Sequence, residues 1–415
     1  MIHFRIPDRK NNALCLRPPA FFLSVLFAVC LAGCGQKTES LTASDSTGKA
    51  ELVTTGTGAA DDPMEWSGMY FDTMISIRLY GDRAAEWMQG CADYCSSMEN
   101  TLSAEKETSE LYRVNHRTKQ TVTVSDDLAE CIEEGLKYSE MSDGAFDITI
   151  LPVKDLWDFE ENSHEGTVPD DADIQEQLKK VDYTKVHLNG NELSFDSPDT
   201  MIDLGGIAKG YISGKLKEYL TGEGCRSALI NLGGNVRAIG TKPDGSEWTV
   251  GIQTPFDDRG TVLTTLSTSD DSVISSGIYE RYFESNGKIY HHIIDPRTGY
   301  PAETDLNQVT VVGEDDAAGD ALATIGIVLG ENGMKKFLKA HNLTSSETVL
   351  FTDQDNSYAW YPSDPAASQG VKSQSKEIQD SESQNTEIQS IEIQGTEIQG
   401  TEIQSMESQS TEGNE

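Results

Sequence analysis

The stretch Asp203-Leu204-Gly205-Gly206-Ile207-Ala208-Lys209-Gly210-Tyr211 separates a short apolar run, Met201–Ile202, from a helix-like one that continues to about Leu220. A carboxylate at a strand end, followed by glycines that open a helix, leaves backbone amides and carbonyls free to face a ligand. The segment is neither a Walker loop nor a GxGxxG fingerprint. A plain strand–turn–helix explains it equally well on its own, so the neighbouring segments decide its reading.

Upstream, Met69–Gly81 ("MYFDTMISIRLYG") alternates apolar and polar residues, ends in glycine and reads as a strand. Arg83–Ser103 then has helical spacing. In Gln120–Thr149, Ser125 is a good N-cap for a helix of about fifteen residues, which Gly144 stops. "KVHLNGNELSFDS" (Lys185–Ser197) carries Asn-Gly between alternating runs, a hairpin signal. Downstream, "SALINLGGNVRAIG" and "EWTVGIQTP" read as paired strands, and a second Asn-Gly at 286–287 marks another hairpin. Asn307–Gly330 reads as strand, acidic loop and helix. Helices and antiparallel hairpins alternate without a regular βαβ count. The predicted class is α+β, with mixed, largely antiparallel sheets and packed helices in a single compact body.

The two ends of the chain differ from this body. Arg5, Arg9, Lys10 and Arg17 precede an apolar run from about residue 20 to 32, which meets "LAGC" at Leu31–Cys34. A basic region, a short apolar region and small residues before a cysteine make a secretory signal. The run is shorter than the roughly 20 apolar residues that span a membrane. "LAGC" resembles the bacterial lipobox, whose cysteine is lipidated. Residues 1–33 are therefore expected to be a lipoprotein signal peptide and Cys34 the lipidation site. Residues 34–63, polar and small, read as a flexible tether. From about Ser368 the chain carries "TEIQG"-like pentads whose period of five fits neither helix nor strand, and 363–415 reads as an acidic, low-complexity disordered tail. The folded domain is expected over 64–362. The implied location is the bacterial cell envelope, lipid-anchored on the outer side of the cytoplasmic membrane, with no other membrane contact.

The formal net charge is -37, and no basic block follows the signal. Nucleic acid binding depends on Lys and Arg neutralising phosphates, so nucleic acid is excluded as a partner. Of the seven cysteines, Cys91, Cys95, Cys131 and Cys225 lie in the body. No histidine cluster accompanies them, which argues against zinc. They read as small buried apolar residues rather than disulfides.

Three further segments bear on "DLGGIAKGY". "DGAFDIT" (Asp143–Thr149) places an aromatic residue between two carboxylates. "HHIIDPRTGYP" (His291–Pro301) puts two histidines in strand context ahead of a turn. "DALAT" sets Asp320 and Thr324 four apart, on one helical face, where a carboxylate and a hydroxyl can ligate one hard cation. Two of them have a bland reading too: a capped helix start for Asp320 and Thr324, and a satisfied half-buried side chain for His292.

With these segments in order, the chain resembles the ApbE family, the FAD:protein FMN transferases once called thiamine-biosynthesis lipoproteins. The resemblance runs from about Trp66 to Trp360 through "DTMISI", "SELYRVN", "SDGAFDITILPVKDLWDF", "IDLGGIAKGY", "INLGGNVRAIG", "ISSGIYERYFE", "HHIIDPRTGYP" and "DALAT". It implies that FAD is the substrate and that Met74, Ala145, Phe146, Asp147, Asp203, Lys209 and Ile294 bind it. It implies Mg²⁺ held by the carbonyl of Gly206 and the side chains of Asp320 and Thr324. A second carboxylate that some members place before that threonine is Ala323 here. A stacking tyrosine common in the family is matched by Glu105. The implied reaction moves FMN from FAD to a Thr or Ser hydroxyl of an exported acceptor flavoprotein, a membrane redox-complex subunit, and releases AMP. His292 is the expected general base, because an unperturbed imidazole titrates near working pH, and His291 should face the other way along the strand. The alternatives are a Mg²⁺-dependent FAD pyrophosphatase and a non-catalytic FAD-binding lipoprotein.

Overall fold

Alternating burial along the strands and one apolar stripe per helix set the layers of the molecule. The computed structural model describes residues 52–159, 166–362 and 372–374. The signal peptide and Cys34 lie outside these residues, as does all of the tail except 372–374.

The chain opens with β1 (Thr54–Thr55), β2 (Met64–Tyr70) and β3 (Thr73–Leu79). Met69–Gly81 is therefore not one strand. Phe71 and Asp72, at φ of 53° and 55°, make a tight turn that folds β3 back on β2, pairing Tyr70 with Thr73 and Met69 with Met74. Positive φ at both turn residues matches the right-handed twist of a two-residue hairpin. No Gly or Asn marks this turn in the sequence, which is why periodicity ran straight through it. The expected tether is also shorter than its 34–63 span: β1 pairs with Glu65 and Trp66 of β2, so residues from 52 onward belong to the body.

Next come α1 (Ala84–Leu102), α2 (Glu110–Asn115), β4 (Thr121–Thr123), α3 (Asp126–Met141), α4 (Leu151–Trp157) and α5 (Asp171–Leu178). Ser125 caps α3 through its hydroxyl, which accepts from the Leu128 amide. The predicted hairpin is present as β5 (Val186–Asn189) and β6 (Glu192–Phe195). After the Asp203–Ile207 turn follow α6 (Ala208–Gly222), β7 (Ala228–Leu232), β8 (Asn235–Ile239), β9 (Trp248–Gln253), β10 (Val262–Thr268) and β11 (Ser272–Gly277). The second Asn-Gly hairpin joins β12 (Tyr282–Ser285) to β13 (Lys288–His291), with both turn residues at positive φ. The chain continues through β14 (Leu306–Gly313), α7 (Asp316–Ala340, kinked at Gly330), β15 (Thr348–Asp353), β16 (Tyr358–Tyr361) and β17 (Lys372–Gln374).

Nine strands form the main sheet, in the order β1-β2-β3-β7-β8-β11-β14-β15-β16, all antiparallel where they pair. Ala228, Ile230 and Leu232 of β7 point into one core with residues of α1, α6 and α7, while Leu229 points to the opposite face. That second face packs on Trp248, Val250, Ile252 and Leu266 of β9 and β10. β9 therefore pairs with β10 in a separate small sheet and not with β8, against the sequence reading. β17 extends this small sheet along β10, so three residues of the expected tail are paired backbone. The body cysteines are free and buried, Cys91 and Cys95 on the inner face of α1, as expected. Among the described residues no helix is long and apolar enough to cross a membrane.

Candidate active site

The Asp203 turn, the first turns of α7, the Ala145–Asp147 bend with α4, and the segment around β12 and β13 meet around a cleft of about 660 Å³. Each wall has an identifiable anchor. Asn115 of "SELYRVN" clamps the backbone of Ile202: its Nδ2 donates to the Ile202 carbonyl and its Oδ1 accepts the Ile202 amide, both at 2.8 Å. The next residue, Asp203, donates its amide to Ile148 O at 2.7 Å and folds its carboxylate back to accept the Gly205 amide at 3.0 Å. The glycines then matter sterically. A Cβ on Gly206 would lie 2.8 Å from the Phe146 ring and 3.6 Å from Thr324 Oγ1. A Cβ on Gly210 would lie 2.2 Å from the Asp316 carbonyl oxygen. Only hydrogen at these positions lets the turn approach the Phe146 ring and α6 approach α7 this closely.

That approach brings the "DALAT" pair to the turn. Asp320, 2% exposed, accepts the Gly210 amide on Oδ2 at 2.9 Å and has Lys209 Nζ 3.8 Å from Oδ1. Thr324 Oγ1 lies 3.5 Å from Ser276 Oγ. Asp320, Thr324, Gly206 and Lys209 all line the cleft. One carboxylate, one hydroxyl and nearby backbone carbonyls form an all-oxygen donor set of the kind a hard divalent cation takes. Among the described residues no cluster of three or more His, Cys, Asp or Glu offers an alternative metal site.

Ala145, Phe146, Asp147, Asp203, Ile294 and His292 also line the cleft. Met74 does not. Its carbonyl accepts the Gly233 amide, and its neighbour Thr73 takes the place at the cleft wall. Asp147 is committed to its own bend. One oxygen accepts the Thr149 amide and hydroxyl at 2.7 and 2.6 Å, and the other accepts the Tyr183 amide at 3.1 Å. Burial raises its pKa against the pull of these donors.

The histidines face different ways, His291 ending β13 and His292 just beyond it. His292 lines the cleft, with Nδ1 3.3 Å from the Arg281 carbonyl. His291 lies outside it, 4% exposed, with Nε2 3.0 Å from the Ala302 carbonyl. Burial pushes His292 down to about 3, helped by Arg281, and pushes His291 down to about 4. His292 is therefore neutral through the working range, instead of titrating within it. Because its Nδ1 faces a carbonyl, the proton sits on Nδ1 and the Nε2 lone pair is left free. "DPRTG" proves to be a structural loop. Asp295 pairs with Arg297 at 2.7 Å and its carbonyl accepts the Gly299 amide at 2.9 Å.

Sequence reasoning passed over Lys154, Arg259, Glu280 and Arg281, all of which line the cleft. Lys154 Nζ lies 2.8 Å from Asp203 Oδ2 and 3.3 Å from Glu105 Oε1. Burial alone would lower the Lys154 pKa, but Asp203 and Glu105 outweigh it and hold the ammonium above the usual lysine range. Burial likewise opposes ionisation of Asp203, and Lys154 overcomes it and holds that carboxyl down. No spacing signal marks Lys154, whose partners lie 49 residues away on either side.

A cleft that sets an all-oxygen donor set beside cationic side chains and a histidine is suited to a phosphorylated ligand and to polar chemistry. Comparison with known proteins narrows this class. The family model described as "ApbE family" matches residues 71–346, and the chain belongs to that family. It is 38% identical over 235 residues to the FAD:protein FMN transferase of Klebsiella pneumoniae strain 342, covering 56% of this chain and 72% of the relative. It is 34% identical over 279 residues to the FAD:protein FMN transferase of Treponema pallidum, covering 62% and 76%. Among solved structures, the ApbE protein of Thermotoga maritima superposes with a TM-score of 0.66 at 28% identity, covering 72% of this chain and 96% of that one. The flavin transferase ApbE from Vibrio cholerae does so with a TM-score of 0.64 at 26% identity and the same coverage.

Proposed function

We propose that this protein transfers FMN from FAD to a hydroxyl of a target protein. Family membership and the names of its relatives support the transfer from FAD. The finer reading is a Mg²⁺-dependent reaction on a Thr or Ser of an exported flavoprotein. The observation that carries it is the convergence of Asp320 and Thr324 from α7 on the Gly206 turn, with Lys209 beside them and His292 lining the same cleft.

In the reaction the acceptor oxygen attacks the phosphorus of the FMN half. A new P–O bond forms, the pyrophosphate P–O bond to the AMP half breaks, and AMP leaves with the electron pair. The acceptor proton passes to the free Nε2 of His292, whose Nδ1–H the Arg281 carbonyl holds in place. Lys209, loosely held 3.5 Å from the Gly205 carbonyl and 3.8 Å from Asp320, can turn to a phosphate oxygen. Asp320, Thr324 and the Gly206 carbonyl are the residues that would hold the cation. When bound, it supplies charge neutralisation on the phosphates and orients the leaving group.

Incubating a purified candidate acceptor with FAD, Mg²⁺ and this protein, then weighing the acceptor by mass spectrometry, tests the reading. The expected result is one FMN on a Thr or Ser and one AMP released per acceptor labelled. Free FMN and AMP with an unlabelled acceptor would instead make the protein a pyrophosphatase. We further propose a lipid anchor at Cys34 in the cell envelope. Cys34→Ser should move the protein from the membrane to the soluble fraction, and an unchanged membrane fraction would remove the anchor from the scheme.

A further inference from the structure

We infer that Lys154 is a nucleotide-binding residue, held ready between Asp203 and Glu105, and that Glu105 is a tether that yields when FAD binds. An ammonium has three N–H donors. Asp203 takes one at 2.8 Å and Glu105 a second at 3.3 Å, and no other hydrogen-bond partner of Nζ is present among the described residues. All three side chains line the cleft. The third donor and the charge are therefore available to an oxygen of the bound nucleotide.

The two carboxylates hold Lys154 unequally. Asp203 is 10% exposed in its side chain and is fixed by its hydrogen bond from the Gly205 amide. Glu105 is 40% exposed, sits after the end of α1 and makes the longer contact. Exposed ion pairs contribute little and exchange with water or ligand easily, whereas a part-buried pair at 2.8 Å on a carboxylate already fixed by a backbone amide is harder to break. Arrival of an anionic nucleotide should accordingly displace Glu105 and leave the Lys154–Asp203 pair intact. Without Lys154, two carboxylates would face the phosphates unneutralised. The inference rests on FAD being the substrate, and on neither the metal nor the acceptor.

The test is the Kd for FAD, read by flavin fluorescence on metal-free full-length protein at two salt concentrations. It compares wild type, Lys154→Met, Glu105→Gln and the double variant. Lys154→Met should weaken FAD by roughly 10- to 100-fold, the range for losing a hydrogen bond from a charged donor. Glu105→Gln should tighten FAD severalfold and steepen its salt dependence, because the ammonium is released to the ligand. In the Lys154→Met background the same glutamine should give no tightening, since the gain passes through Lys154. Glu105→Gln that leaves FAD binding unchanged or weaker overturns the inference, as does equal tightening in both backgrounds. Should Lys154→Met fail to fold, Lys154→Gln serves as the background, and the single Glu105→Gln comparison still decides. Failure of the wild type to bind FAD would count against the proposed function, not against this assignment.

Discussion

The two walls of the cleft are built on opposite plans. On the α7 side, helix geometry, close backbone packing and one buried ion pair set the donors. Asp320 and Thr324 occupy successive turns of one helix, and Gly210 brings α6 into contact with it. The fully buried Arg237 grips Asp316 through Nε at 3.0 and 2.9 Å and also bonds the Glu314 carbonyl at 2.6 Å, which pins the start of α7. On the α4 side, Lys154, Glu105 and Asp203 come from three separate segments and meet only through side chains. The proposed cation site needs donors at fixed distances, so a rigid wall would suit it. A nucleotide-binding lysine must exchange partners, so a side-chain wall suits it.

Three substitutions sharpen this contrast, the largest effect first. Asp320→Ala removes the carboxylate of the proposed cation site and should abolish transfer at ordinary Mg²⁺. An Asp320→Ala variant as active as wild type, with a chelator present, would remove the metal from the rigid wall altogether.

His292→Ala should come next, with FAD binding nearly kept and transfer slowed by roughly 10²–10⁴. Since burial holds His292 near 3, the free enzyme should show no rise in kcat/KM through about pH 6.5 from this group. Stability carries the pH signal instead. Unfolded histidines take up protons below 6.5 while buried His291 and half-buried His292 stay neutral down to about 4 and about 3, so the unfolded state binds more protons in that window. Thermal melts should thus show stability falling as pH drops from about 6.5 towards 4. Flat melts over that range, or a kcat/KM step near 6.5 that His292→Ala erases, would mean an exposed, titrating His292.

Gly210→Ala tests the rigid wall without touching a donor. Alanine in a helix interior gains about 1 kcal/mol over glycine. Here its methyl would sit 2.2 Å from a backbone oxygen of α7, which no side-chain rotation relieves. Overpacking costs about 1–3 kcal/mol, so the clash should win. The melting temperature should fall and the Mg²⁺ needed for half-maximal rate should rise. A stabilised Gly210→Ala variant with unchanged Mg²⁺ requirement would show that the α6–α7 approach does not set the cation site.

Sequence alone determined what local chemistry can write. Ser125 marks a helix start through its capping hydroxyl, and Asn286-Gly287 marks a turn because both residues tolerate positive φ. Asp320 and Thr324 share a face because a helix returns every 3.6 residues, and His291 at the end of β13 and His292 just after it are adjacent residues that face different sides. The Phe71–Asp72 turn carries no such marker, so one expected strand became two. The partner of β9, the placement of Met74 off the cleft wall and the pairing of Thr54–Thr55 with β2 depended on contacts between separate segments. So did the Glu105–Lys154–Asp203 contact, which no periodicity encodes. The depressed pKa values of the two histidines belong to the same group. A pKa follows from burial and neighbouring charge, and only the folded chain creates either.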